Sequence, residues 1–263
     1  MPEFTKLHQQ GKLEELAQRK GSRPISALTA YDYATARHLD EAGIEIILVG
    51  DSLGMMVFGH EDTTNVSIEM MTHHVKACRN GVNNSLLVAD MPFRSYQTPE
   101  DSTRTAEILI KAGADAVKLE GGREVLPQTK AILLSGIKVI GHIGMLPQKV
   151  KEEGGYKKKG KTELEARSLI ADANALADAG ISALVLENIV EAIAGEITSS
   201  IKIPTIGIGS GSNCDGQILV INDLLGSYPW FCPGFAKPEA NLAKETARAI
   251  RAFITRIGND TQE

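Results

Sequence analysis

The sequence predicts a (β/α)8 barrel, a closed parallel sheet ringed by helices, and three observations carry that expectation. Short apolar runs that read as strands alternate with stretches that read as helices from about residue 25 onward, and no composition shift or Pro/Ser-rich linker interrupts them. There are eight such runs, and parallel neighbours need a crossover of a dozen or more residues, which the helical stretches supply. The 263 residues divide into eight units of about 33 residues, a typical barrel allotment, so a single domain over residues 1–263 is expected. A doubly wound open sheet is the alternative, weakened because no G-x-G-x-x-G follows the first strand.

The strands are expected at residues 25–30, 45–50, 85–90, 116–120, 138–142, 183–187, 205–209 and 218–222. Between them the helices carry their own punctuation. Thr98 is placed as an N-cap, with Pro99 in the first turn, Asp101 completing a capping box, Lys111 in the last turn and Gly113 just beyond. Thr162 and Glu165 form a second box before the stripe Leu169, Ala173, Leu176 and Ala177, which ends at Gly180. Ile68, Met71, Val75 and Cys78 repeat the helical period, and Leu242, Ile250, Phe253, Ile254 and Ile257 give a closing amphipathic helix. The adjacent His73 and His74 point apart on such a helix and read as packing and surface rather than a metal box.

Composition narrows the function. With 43% hydrophobic and 23% charged residues the chain is an ordinary soluble protein, long enough to bury a core without disulfides or structural metals. The net charge of −5, with no basic tail, gives no electrostatic case for nucleic acid or an anionic membrane, so a small-molecule partner is expected. Cys78, Cys214 and Cys232 are odd in number and form no C-x-x-C, which fits a reducing compartment better than a disulfide framework or a zinc site. The amino terminus, residues 1–10, is polar, and no apolar run approaches the roughly 20 residues of a membrane span. The cytoplasm is the expected location.

The chemistry is expected where strands end. A helix closing on Ala-Gly, then an apolar strand finishing on an acid, occurs three times, as Ala42-Gly43 to Asp51, Ala112-Gly113 to Glu120 and Ala179-Gly180 to Glu187. A fourth run, residues 85–90, ends on Asp90 without the Ala-Gly. In a barrel all these ends open on one face, the face that carries the active site. One such acid alone would as readily be a loop-start cap, but four crowded carboxylates repel one another and call for a cation, a metal or a lysine. Lys118 lies two residues before Glu120, so both point to the same face, with Val117 and Leu119 facing the helices. Oxygen-only ligands favour a hard divalent ion, Mg2+ before Ca2+. His142, at the fifth strand end, reads as a substrate hydrogen-bond donor or a packed interior histidine, ahead of a metal ligand. Ser52 either caps a turn or donates to a substrate carboxylate. The run Gly207-Ile-Gly209-Ser-Gly211-Ser212 reads as a tight turn before a phosphate cradle. The stretch from Gly154 to Lys161 reads as a loop on the active face, either solvated lysines or a basic lid over an anionic substrate.

Six ordered motifs resemble a known family: Val49-Gly-Asp51-Ser52-Leu-Gly-Met55, Leu87-Val-Ala-Asp90-Met-Pro92-Phe93, Val117-Lys118-Leu-Glu120-Gly-Gly122, Gly141-His142-Ile-Gly144, Leu184-Val-Leu-Glu187 and Asp215-Gly216-Gln217-Ile-Leu219. Thr29-Ala-Tyr31-Asp32 and Gly154-Gly155-Tyr156-Lys157 add to them. Together they look like the ketopantoate hydroxymethyltransferases, over about residues 26–237. The resemblance implies a barrel of the phosphoenolpyruvate/pyruvate superfamily and transfer of a hydroxymethyl group from 5,10-methylenetetrahydrofolate to 3-methyl-2-oxobutanoate, in pantothenate biosynthesis. It implies Mg2+ at Asp51, Asp90 and Glu120, a 2-oxo acid site of Asp51, Ser52, Asp90 and Lys118, to which His142 is added, and Glu187 as proton acceptor. It also implies a homo-oligomer, commonly a decamer. The sequence departs from the family at Asn188-Ile189-Val190, where a small or sulfur residue and then a proline two on are usual, and at Gly234, where a basic residue is common.

On that reading Lys118 supplies fixed positive charge at a developing enolate, with a Schiff base as its rival role. Two other classes stay open: a Mg2+-dependent carbon–carbon lyase on the same barrel, although no Lys-Lys-Cys-Gly-His motif is present, and a non-catalytic ligand-binding barrel.

Overall fold

The computed structural model describes residues 11–12 and 15–260. Eight strands close into a parallel barrel in sequence order: β1 (Ile25–Thr29), β2 (Ile46–Val49), β3 (Leu86–Asp90), β4 (Ala116–Glu120), β5 (Val139–Gly144), β6 (Ala183–Glu187), β7 (Thr205–Ile208) and β8 (Gly216–Leu219). Beside β1 the ring closes where the Ile25 amide donates to the Asp215 carbonyl at 2.9 Å. The polar amino terminus, residues 1–10, lies outside the described residues. Among the described residues no helix is long and apolar enough to cross a membrane.

The alternation of a strand sorts its side chains into two cores. Inside the ring lie Ile25, Ala27, Ile46, Leu48, Leu86, Val88, Ala116, Ile140, Ala183, Val185, Ile206 and Ile218, joined by Leu16 from the segment before β1. The intervening residues, Ile47, Leu87, Val117, Val139 and Leu184 among them, are fully buried on the side of the helices. There the helix Ile68–Arg79 buries Met71, Val75 and Cys78, and the helix Glu163–Ala179 buries Ala173 and Leu176. Both expected N-caps form: Thr98 accepts from the Asp101 amide at 3.1 Å and Thr162 from the Glu165 amide at 3.2 Å. Gly113, at φ 122°, ends the first of these helices and Gly180, at φ 96°, the second.

Most strands match expectation to within a residue at each end, and two, β8 and β5, depart by more. β8 runs two to three residues earlier than 218–222, because Gly216 is the point where the sheet closes on β1: a Cβ there would run into the Ile25 carbonyl. The apolar residues read as its end instead open the helix Ile221–Leu225. β5 extends past His142 to Gly144, which pairs with Glu187.

The chain divides into two compact units, Met1–Ile218 and Leu219–Glu263. The second holds the helices Ile221–Leu225 and Leu242–Asp260. Within it the Glu239 amide donates to the Leu224 carbonyl at 2.8 Å, and Tyr228 and Trp230 meet edge to face at 5.0 Å. The apolar stripe of the closing helix stands exposed, with Ile250, Phe253, Ile254 and Ile257 each about half accessible.

Candidate active site

The inward rows of four neighbouring strands, β3 to β6, end in polar residues at the same mouth. Leu86 and Val88 lead to Asp90, Ala116 to Lys118 and Glu120, Ile140 to His142, and Ala183 and Val185 to Glu187. The register sets Asp90 beside Lys118 and Glu120 beside His142. Asp51 joins them from the turn after β2, where its amide donates to Asp90 Oδ2 at 3.0 Å. That approach needs Gly50: a Cβ there would stand 2.8 Å from Ser52 Oγ and 3.5 Å from Asp90 Oδ2. Ser52 Oγ lies 2.9 Å from the Tyr31 hydroxyl. Asp51, Ser52, Asp90, Lys118, Glu120, His142 and Glu187 thus come together at one end of the ring.

The charges are far from balanced. Lys118 Nζ is 2.8 Å from Asp90 Oδ1. Burial works against its ammonium, but Asp90, Glu120 and Asp51 outweigh burial and hold its pKa above the ordinary value. It therefore stays a cation, which disfavours the Schiff-base role. Burial, then Asp90, pushes Asp51 up to about 7. Burial, then Asp51, holds Glu120 well above the usual carboxylate range. Burial also pushes Glu187 up to about 8.

His142 is kept neutral, its pKa lowered well below the ordinary value by burial and then by Lys118. Its tautomer follows from its neighbours. The Lys118 ammonium, which can only donate, lies 3.3 Å from Nδ1, so Nδ1 carries the lone pair and Nε2 the proton. Nε2 is 3.1 Å from Glu187 Oε2, without the alignment of a full hydrogen bond. His142 is thus a neighbour of the candidate base as well as of the acid set.

Asn188, in the departing segment after Glu187, takes a left-handed conformation with φ 49°, which asparagine tolerates better than most residues. The turn is tied down: the Asn188 amide donates to Ile208 at 2.8 Å, the Ile189 amide to Ser210 Oγ at 3.0 Å, and the Lys159 amide to the Asn188 carbonyl at 2.9 Å. Lys158 Nζ reaches the Ile189 carbonyl at 3.4 Å and the Gly209 carbonyl at 3.0 Å, so this part of the lysine loop is stitched both to the turn that follows the base and to the turn after β7. The glycine run after β7 is a turn, and its Ser212 amide is already taken by Glu191 Oε1 at 3.0 Å, leaving that donor to no phosphate.

Sequence reasoning missed two residues. Gln148, buried in the 3-10 turn Pro147–Lys149, donates from Nε2 to Asp51 Oδ2 at 2.8 Å and to the Met91 carbonyl at 3.0 Å, and from its amide to Glu120 Oε2 at 3.1 Å. The Tyr96 hydroxyl donates to Gln148 Oε1 at 2.6 Å. An uncharged amide in a loop leaves no mark in hydropathy or spacing; only the Pro147 that opens its turn is visible in the sequence.

The donor set fits a hard cation. It is all oxygen, buried, and in excess over its one ammonium. Among the described residues no three His, Cys, Asp or Glu side chains form a ready-made cage. Mg2+, which usually keeps several waters and takes one or two carboxylates plus substrate, needs none.

The closed parallel barrel is the fold also seen in solved members of the phosphoenolpyruvate mutase/isocitrate lyase superfamily. Phosphonopyruvate hydrolase in complex with oxalate and Mg2+ superposes with a TM-score of 0.63 at 15% identity, over 95% of this chain and 87% of the other. 2,3-Dimethylmalate lyase, a member of that superfamily, does so with a TM-score of 0.63 at 18% identity, over 96% and 88%. The family model of ketopantoate hydroxymethyltransferase matches residues 10–261. The 3-methyl-2-oxobutanoate hydroxymethyltransferase of Syntrophus aciditrophicus is 48% identical over 92% of this chain and 90% of its own length. That of Acetivibrio thermocellus is 48% identical over 93% and 87%. The chain belongs to the ketopantoate hydroxymethyltransferase family.

Proposed function

We propose that this hydroxymethyltransferase moves the one-carbon unit of 5,10-methylenetetrahydrofolate onto C3 of 3-methyl-2-oxobutanoate, giving 2-dehydropantoate, with Glu187 removing the C3 proton. The observation that carries the reading is the position of Glu187: inside the mouth, beside neutral His142, on the same ring as the acids and Lys118. Asp51 and Asp90 would hold Mg2+, with Glu120 completing the acid set. Bound there, the ion would act as a Lewis acid toward the oxygens of the 2-oxo acid and lower the cost of its enolate.

The chain's own groups do the rest. The Lys118 ammonium, fixed by Asp90, places positive charge where the substrate's carboxylate and developing enolate oxygen would lie. Ser52, oriented by Tyr31, offers a hydroxyl to the same carboxylate. Glu187 is a base only while ionised. Its raised pKa makes its carboxylate a better proton acceptor than an exposed one, and a positioned base of this kind contributes roughly 10²- to 10⁴-fold. The exposed apolar stripe of the closing helix supports a homo-oligomer, which we read as a decamer, and we place the enzyme in the cytoplasm.

Proton exchange tests the reading. In D2O with Mg2+, 3-methyl-2-oxobutanoate should lose its C3 proton signal faster with the protein than without it, and a chelator or Glu187→Gln should abolish the gain. Undiminished exchange in Glu187→Gln removes that residue as the base. No exchange in the wild type, with or without tetrahydrofolate, overturns the mechanism.

A further inference from the structure

We propose that Gln148 is the positioning residue of the acid set: its amide and backbone N–H fix which oxygen of Asp51 and of Glu120 is turned away from the mouth, and the Tyr96 hydroxyl fixes which way round the amide stands. This rests on the reading that Mg2+ is held at those acids.

The hydrogen bonds admit one orientation of the amide. Asp51 Oδ2 and the Met91 carbonyl are both acceptors, so they face the NH2 group, and both of its protons are used. The remaining oxygen takes the Tyr96 proton at 2.6 Å. A reversed amide would set an oxygen against two acceptors and leave the buried NH2 facing a hydroxyl. The backbone N–H of the same residue takes Glu120 Oε2 at 3.1 Å, so one short turn holds carboxylates from the ends of two different strands. The turn also holds the Met91 carbonyl just beyond β3, which ties three neighbouring strand ends together.

The chemistry of the side chain matters as much as its reach. A lysine in this place would add a second ammonium and cancel the negative charge that draws a cation. A glutamate would add one more repelling carboxylate. An amide donates to the acids while leaving their charge uncompensated, and partners of this kind typically govern metal affinity by 10- to 100-fold when removed.

Metal binding by the full-length protein tests this, read from the electron paramagnetic resonance signal of free Mn2+ and by displacement with Mg2+. Gln148→Met keeps the size of the side chain and removes its hydrogen bonds. We expect it to weaken Mn2+ binding by about 10- to 100-fold. Tyr96→Phe should weaken it in the same direction by less, and the activity of both should recover at high metal, as a raised metal requirement with kcat largely retained. A folded Gln148→Met protein with wild-type Mn2+ affinity overturns the proposal. Should Gln148→Met fail to fold, Tyr96→Phe decides, and unchanged affinity in it overturns the proposal equally. Wild-type protein that binds no Mn2+ removes the metal reading itself, a different result from wild-type binding that the variants leave unaltered.

Discussion

Glu187 and Asp51 are carboxyls that the fold keeps protonated longer than water would, since burial pushes them up to about 8 and about 7. The linkage to stability has a definite sign. Above about pH 6.5 the unfolded chain has already lost these protons, at ordinary values of 4.5 and 3.8, while the fold still holds part of them, so stability falls as pH rises, through about 7 for Asp51 and about 8 for Glu187. The slope approaches 1.4 kcal/mol per pH unit for each such proton, roughly. His142, neutral in the fold, acts the opposite way below its unfolded value of 6.5, which is why the window opens there. We expect the melting temperature of metal-free protein to fall between pH 6.5 and 8 and Mg2+ to recover most at the upper end; a metal-free melting temperature that rises across this window would contradict the assignment. These acids were readable in the sequence because a strand has a fixed parity and a barrel a fixed direction. Gln148 was not, since an amide carries neither charge nor period.

At the scale of elements, the pairing of β5 with β6 aims the base. Gly144 sits opposite Glu187 at φ 104°, and a Cβ there would run into the Glu187 carbonyl and press on Ile189. Gly144→Ala should therefore displace the end of β6 and cost most of the C3 exchange, while circular dichroism still reports the barrel; an alanine variant with wild-type exchange would show that Glu187 tolerates the shift. The helices show why the capped segments were legible. Thr98 and Thr162 each satisfy an amide that the helix itself leaves unpaired, and evolution writes that need as a residue type at a fixed spacing. β8 was misplaced for the converse reason. Its pairing is made by Gly216 and Gln217, opposite Ile206 and Gly207, and neither residue type announces a strand.

Across the whole barrel, acids stand at both ends and do opposite things. Where strands begin they are saturated. Asp115 takes the Leu87 amide at 2.9 Å and pairs with Arg79, and Glu45 takes the Ser26 amide at 2.9 Å and pairs with Arg19. Asp215 takes the amides of Thr205 and Gly21, each at 2.9 Å, and pairs with Lys20 at 2.8 Å. Where strands end, the acids share one ammonium. Asp215→Ala should lower the melting temperature by an amount equivalent to roughly 1–3 kcal/mol, the cost of amides left without acceptors, with kcat at 25 °C unchanged. Loss of kcat without loss of stability would show that the two ends are not independent. Saturation at one end also sets what this scaffold can become. Descendants or redesigned variants that trade the mouth for another set of polar groups start with the closure of their ring already secured, so a new activity has only its own desolvation to overcome.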